Sequence, residues 1–472
     1  MNSSEMADKV YTVAGLPVWA ATAYVVLIIT GFWFYSLLWP NAPIIVPDSP
    51  SYVRAAQDLS DFRVDQLNSR PPGYPLLLVL TGFLEGTERP LFHTSLAFHC
   101  ISVWLLAALL YALGVNRAWL ILFVAVLMLP PYVEYAAYVL SDNLSTFLLV
   151  VAYASLVFWF RRQATGLVLL SGLAIACSAL TRPTYQLLSL VSAGSLLLVI
   201  WAMRYPRTIT YRSGVKAGSI LLITSAVLIG GYSYLNHVKF GFFGIYPMAG
   251  FNLSTRTVKF LERLPDQYAA EREALIKARD AEIVRRGEDH TGQLSYWKAV
   301  PDLEKITGLK AIPELSQYLM RLHLLLITQA PLTYLQEVFA SFSSYWLPSA
   351  TKLANMNSIA VQALWASLHF AILGLFLLQL MVVTGIGLFH LSERLFLGET
   401  ESRLSTKIFP AQVFAYVLAG MIVLYNAIAT AITEVGDPRY RMPTEPLIVF
   451  MCFLGFFLWR QLLARAEFRP TS

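Results

Sequence analysis

Ten apolar stretches constrain this chain more than any other feature. At roughly 20 residues per bilayer crossing, residues 18–39, 92–113, 118–133, 139–160, 166–181, 186–203, 217–235, 361–389, 409–432 and 445–461 read as membrane spans. The third and fifth are short, near 24 Å at about 1.5 Å per residue, and call for a thinned bilayer or burial in protein. Only 14% of the 472 residues are charged, against roughly 25% in a soluble chain. The expectation is an all-α polytopic membrane protein of about ten transmembrane helices. The first run has only Lys9 before it among basic residues and lacks a small-residue cleavage site, so it reads as a retained span. The apolar stretch 73–84 is too short to cross and reads as a helix lying in the interface.

Orientation follows from the basic residues. With the N-terminus cytoplasmic, the inner loops and tail collect Arg117, Arg161, Arg162, Arg204, Arg207, Arg212, Lys216, Arg394, Arg403, Lys407, Arg460, Arg465 and Arg469. The short outer loops hold only Arg182, Arg439 and Arg441. That bias places both termini in the cytoplasm. It also singles out three arginines that break the rule.

The chain then divides into residues 1–235, with a long outer loop at 40–91; a large outer segment, 236–360; and the closing spans, 361–472. The first loop carries Asp48, a charged patch from Asp58 to Asp65, and the run Arg70-Pro71-Pro72-Gly73-Tyr74-Pro75. The segment 236–360 is nearly neutral, which suits capping a cavity or receiving an acceptor better than binding a polyanion. Its Tyr- and Trp-bearing stretches at 331–335 and 344–348 suit the headgroup level. The net charge of +6 comes with no basic run, so no nucleic-acid partner is expected. Cys100, Cys177 and Cys452 all fall in apolar segments, so neither a disulfide nor a zinc site is expected.

Ionisable groups near span ends are costly and mark functional candidates. On the outer side these are Asp48, Arg70, Glu134, Asp142, Arg182, Asp437, Arg439, Arg441 and Glu445. In Pro47-Asp48-Ser49-Pro50-Ser51-Tyr52, Ser49 suits an N-cap and Pro50 the first helical position. Asp48 then lies at the positive end of a helix, which favours its ionised form, as a general base needs. The plainer role is that Asp48 helps cap a surface helix, and that Asp142, in Leu140-Ser141-Asp142-Asn143, caps the fourth span. Pro183 forces Arg182 into an extended turn. Arg439 and Arg441 flank Tyr440, and either hold a phosphate in a guanidinium fork or snorkel and pair with Asp437 and Glu445. His93, His99 and His237 show no metal-ligand spacing. There is no Gly-rich phosphate loop and no cytosolic nucleotide-binding unit, so an activated donor would arrive from within the membrane.

Five motifs, in order, resemble the GT-C superfamily of polyprenyl-phosphate-sugar-dependent glycosyltransferases: Asp48-Ser49-x-x-Tyr52, Arg70-Pro-Pro-Gly-Tyr74-Pro, Leu140-Ser141-Asp142, Leu180-Thr181-Arg182-Pro183, and Arg439-Tyr440-Arg441-Met442-Pro443-Thr444-Glu445-Pro446. The branch most similar contains the protein O-mannosyltransferases and the lipid A aminoarabinose transferases; the likeness covers roughly the first 240 residues and the last 35. It implies an inverting transfer from a polyprenyl-phosphate sugar to a glycan, lipid or protein acceptor at the outer face of a bacterial inner membrane. Asp48 would be the base and Asp142 the second acidic position. Arg70, Arg182, Arg439 and Arg441 would bind the donor phosphate, and Tyr52, Tyr74, Glu134, Tyr440 and Glu445 the substrates. Some relatives reach a divalent metal through the second acidic position. This chain has no Asp-x-Asp pair at either position, so no cofactor is expected to be required. Two other classes fit the same residues: a polytopic lipid-linked sugar transporter or flippase, and a polysaccharide polymerase or ligase using a pyrophosphate carrier.

Overall fold

The computed structural model describes residues 12, 13, 16–61, 63, 70–203, 209–287, 292–349, 358–396, 410–434 and 436–466. Apart from two-residue strands at Thr12–Val13 and Leu16–Pro17, which pair antiparallel, these residues form helices and their connections. In chain order the helices are α1 (Val18–Leu38), α2 (Ser49–Ser60), α3 (Gly73–Leu80), α4 (Arg89–Ala112), α5 (Arg117–Leu127), α6 (Asp142–Arg162), α7 (Thr165–Ala179), α8 (Leu188–Met203) and α9 (Tyr211–Phe240). Then follow α10 (Ala249–Thr257), α11 (Ala269–Arg286), α12 (Gly292–Thr307), α13 (Ile312–Gln329), α14 (Pro331–Tyr345), α15 (Ile359–Phe396), α16 (Pro410–Thr433) and α17 (Glu445–Ala466).

Each apolar stretch is helical, yet among the described residues seven helices are long and apolar enough to span a membrane, or eight if one bent pair counts as a span. The count of ten is therefore not confirmed. The third stretch breaks after α5, and Pro130–Ala137 turns away by 64°. Pro130 and Pro131 cannot continue the α5 hydrogen-bond ladder. The fifth stretch is the 15-residue α7, about 22 Å long at 1.5 Å per residue. The first is the 21-residue α1, whose side chains are described only from Val25 onward. The apolar run at 73–84 becomes α3 and a 3₁₀ turn, Phe83–Glu85. Several residues used for orientation (Lys9, Arg204, Arg207, Arg403, Lys407 and Arg469), and Asp65 of the charged patch, lie outside the described residues.

Helix α6 is central to the bundle, packing against α4, α7 and α16. Lipid tails are as apolar as leucine, so spans associate through close contact and buried hydrogen bonds rather than hydrophobic exclusion. The α6–α7–α9 seam follows that logic: Ser171 on α7 donates to the Ala152 carbonyl at 2.9 Å, and Ser225 on α9 to the Gly172 carbonyl at 3.1 Å. At Gly172 any Cβ would press on Thr224 of α9. Across the α6–α16 contact, Tyr153 donates to the Ala415 carbonyl at 2.9 Å, and Phe160 stacks on Phe414.

Residues 249–345 form a helical unit with a core of its own, including Phe251, Leu275, Tyr296, Leu303 and Leu319. His323, fully buried, ties α13 to Thr257 (2.7 Å) and to the Gly250 carbonyl (2.8 Å). Arg256 clamps this unit to the end of α16, donating to the Glu434 carbonyl at 2.7 Å. Helix α14 exposes Leu332, Leu335 and Phe339, an apolar face suited to lipid.

Candidate active site

The first loop is fastened to two others. Ile44 bridges Tyr138, with its amide on the Ala137 carbonyl and its carbonyl accepting from Val139. Ser49 is the first residue of α2 rather than its cap, and its hydroxyl donates to the Val139 carbonyl at 2.8 Å. Gly73 donates to the Leu180 carbonyl. A Cβ there would collide with Thr181 and with that carbonyl, so only glycine allows α3 to sit so close. Tyr52 meets Ser141 at 2.8 Å. These backbone and side-chain contacts deliver Asp48, Asp142 and Arg182 to one place.

Asp48 occupies the N-cap of α2, yet its carboxylate makes no capping bond. It faces guanidinium groups instead: Oδ1 accepts from Arg70 at 3.3 Å and Oδ2 from Arg439 at 2.8 Å. Asp142 lies in the first turn of α6, one residue past the N-cap Ser141, and is buried. Its Oδ1 accepts from Arg182 at 2.5 Å and its Oδ2 from Arg439 at 3.5 Å. Arg439 thus bridges both aspartates, and its Nε has no partner among the described residues. Asp437 fixes the Arg439 backbone, accepting its amide at 2.8 Å. Arg70 also donates to Ser51 at 2.8 Å and lies over the Tyr52 ring, while Arg182 lies over the Tyr440 ring. As expected, Arg182 is extended before Pro183 (φ −136°, ψ 113°).

These residues line a cavity of about 620 Å³. Its charged end holds three guanidinium groups and two aspartates. Its other wall is apolar, built from Leu253 and Leu324 of the 249–345 unit and from Ile428 and Ile432 of α16. The large segment therefore supplies part of the cavity wall.

Of the residues singled out in the sequence, Asp48, Tyr52, Arg70, Asp142, Arg182, Arg439 and Tyr440 converge on this cavity. Five do not line it; Asp437, which fixes the Arg439 backbone, is one. Tyr74 is buried behind Tyr52, edge to face, with its hydroxyl unpartnered among the described residues. Glu134 is buried in the turn after Pro130–Val133, one carboxylate oxygen likewise unpartnered. Arg441 and Glu445 form a closed cluster: Arg441 donates to Glu445 at 2.5 Å, to the Tyr345 carbonyl, and to the Leu347 carbonyl at 3.0 Å. His369 of α15 meets the same Glu445 at 3.1 Å. Among the described residues no three His, Cys, Asp or Glu side chains come together as a metal site.

Glu434, which no motif marked, also lines the cavity. Its Oε1 accepts from Asn252 at 2.5 Å and its Oε2 from Tyr440 at 3.5 Å. Burial pushes its carboxyl up to about 7, against the pull of Arg182 and Arg70. Around neutral pH it adds at most part of a negative charge, so three guanidinium groups stand against two aspartates. The charged end of the cavity thus faces an apolar wall.

No protein-family model, curated protein or solved structure matches this chain.

Proposed function

We propose that the chain is an inverting glycosyltransferase that takes a sugar from a polyprenyl-phosphate donor at the outer membrane surface. One observation carries this reading: a single cavity brings an aspartate, an excess of arginine forks and an apolar wall together. Those are the three things such a donor and its acceptor require. The donor phosphate enters among Arg182, Arg439 and Arg70, and its hydrocarbon chain leaves along Leu324, Ile428 and Ile432. The phosphate competes with Asp48 for Arg439, and drawing that fork away exposes the Asp48 Oδ2. An acceptor hydroxyl gives its proton to that oxygen while its own oxygen attacks the anomeric carbon from the face opposite the phosphate. The bond between that carbon and the phosphate oxygen breaks with its electrons on the phosphate, so configuration inverts. Arginines aimed at the charge as it develops act as electrostatic catalysts in a water-poor site. Both oxygens of Asp142 already face guanidinium groups, so Asp142 serves to hold Arg182 and Arg439 in place.

The test is purified protein in detergent, with no gradient, given a panel of polyprenyl-phosphate hexoses and pentoses. Release of polyprenyl phosphate with an inverted sugar product, unaffected by EDTA, is the expected result. A transporter would release none, and a pyrophosphate-dependent polymerase would turn over only pyrophosphate donors. Loss of turnover on EDTA treatment, restored by magnesium or manganese, would bring in a metal at Asp142 or Glu134.

A further inference from the structure

Helix α6 opens with Asp142 and closes with Arg161 and Arg162. At 1.5 Å per residue these ends lie about 30 Å apart, so the arginines sit at the membrane surface remote from the Asp48 cavity. A second, larger cavity opens there, about 1060 Å³, lined among others by Trp104, Tyr111, Arg117, Phe158, Arg161 and Arg162. Among the described residues, no Asp or Glu lines it. Arg161 reaches the Ala112 carbonyl at the end of α4, which occupies one of its five N–H groups. The Arg162 guanidinium lies over the Phe158 ring. The C-terminal dipole of α6 offers about half a negative charge, too little to balance two guanidinium groups. Leu105, Ala108 and Leu167 supply apolar wall beside the charges.

We propose that this cavity holds the phosphate headgroup of an anionic phospholipid, in the leaflet opposite the Asp48 cavity. Charged N–H donors attract phosphate oxygens, and basic pockets between spans at a membrane surface suit such headgroups. A free phosphate would match the arginines but leave the apolar wall without a role. Trp104 and Tyr111 fit the level at which a headgroup meets its acyl chains. The site is independent of the transfer reading, since it depends only on α6 crossing the membrane.

The experiment is native mass spectrometry of the full-length protein with equal phosphatidylglycerol and phosphatidylcholine, and separately with inorganic phosphate. Wild type should retain phosphatidylglycerol preferentially, and R161Q/R162Q should retain at least about fivefold less. Arg162→Gln disturbs packing least and alone should lower retention about threefold. The control R212Q/K216Q removes the same charge from the start of α9 and should leave retention unchanged. Equal loss in the control, no preference over phosphatidylcholine, or capture of inorganic phosphate without phosphatidylglycerol would each overturn the proposal.

Discussion

The two ends of α6 put the same side chain to different uses. At the Asp142 end, Arg182 and Arg439 are held by carboxylates at 2.5 to 3.5 Å, largely buried and fixed in direction. At the other end Arg161 and Arg162 are exposed, and among the described residues no carboxylate lines their cavity. An arginine whose fork is pre-aimed loses little entropy when it meets a ligand, and only the planar group fits. An arginine over open, wet surface works as a charge on a stem, and lysine can replace it. Carboxylates near arginines thus mark positions where geometry matters, and their absence marks positions where charge alone does.

A third environment sharpens that contrast. Arg441 is fully buried, with Glu445, His369 and two carbonyls as its partners, and it reaches neither cavity. Replacing it with methionine leaves Glu445 buried without its guanidinium and should destabilise the fold by about 3–5 kcal/mol. The double change R441M/E445L should cost clearly less, because no charge is then stranded. Thermal unfolding in detergent reads both, and equal losses would mean that Arg441 acts through something other than this pair.

The central comparison predicts the next effect in size. R182K and R439K should each lower kcat/KM by roughly ten- to a hundredfold, about 1.4–2.7 kcal/mol, whereas R161K/R162K should leave it unchanged. Wild-type kinetics in both site variants, at normal expression, would reassign Arg182 and Arg439 to membrane anchoring.

Glu434 gives the smallest effect. Its carboxyl, pushed up to about 7, is neutral below that pH and ionised above it. Ionisation adds a negative charge facing Arg70, Arg182, Tyr440 and Asp48, so donor affinity should fall as pH rises through 7, by about three- to tenfold at an effective dielectric near 20 with salt screening. E434Q should remove that dependence and keep the low-pH affinity. A donor-KM profile identical in wild type and E434Q would take Glu434 out of the donor's field.

How far the sequence revealed all this depends on what fixes each residue. Asp48, Arg70, Asp142, Arg182 and Arg439 were legible because topology alone brings the ends of successive spans to one surface, and charge there is rare. The difference between Arg439 and Arg441 was not. They lie in a 3₁₀ turn, Pro438–Thr444, in which residues two apart point to different sides, and only packing decides which side meets the cavity. Glu434 also ends an apolar run, but no motif marked it, and its place in the cavity depends on Asn252, 182 positions away in the chain. Pro130 and Pro131 were visible inside the third stretch, yet hydropathy averages over them and cannot register a bend.

The most direct measurement compares Asp48→Asn with wild type for both donor binding and turnover. Asparagine keeps the size of aspartate and its Oδ1 can still accept from a guanidinium, but it cannot take up a proton. The account predicts donor affinity close to wild type and turnover lower by at least about 100-fold, the low end for a general base. Turnover near wild type in this variant would contradict it, because the proton would then be going somewhere other than Asp48.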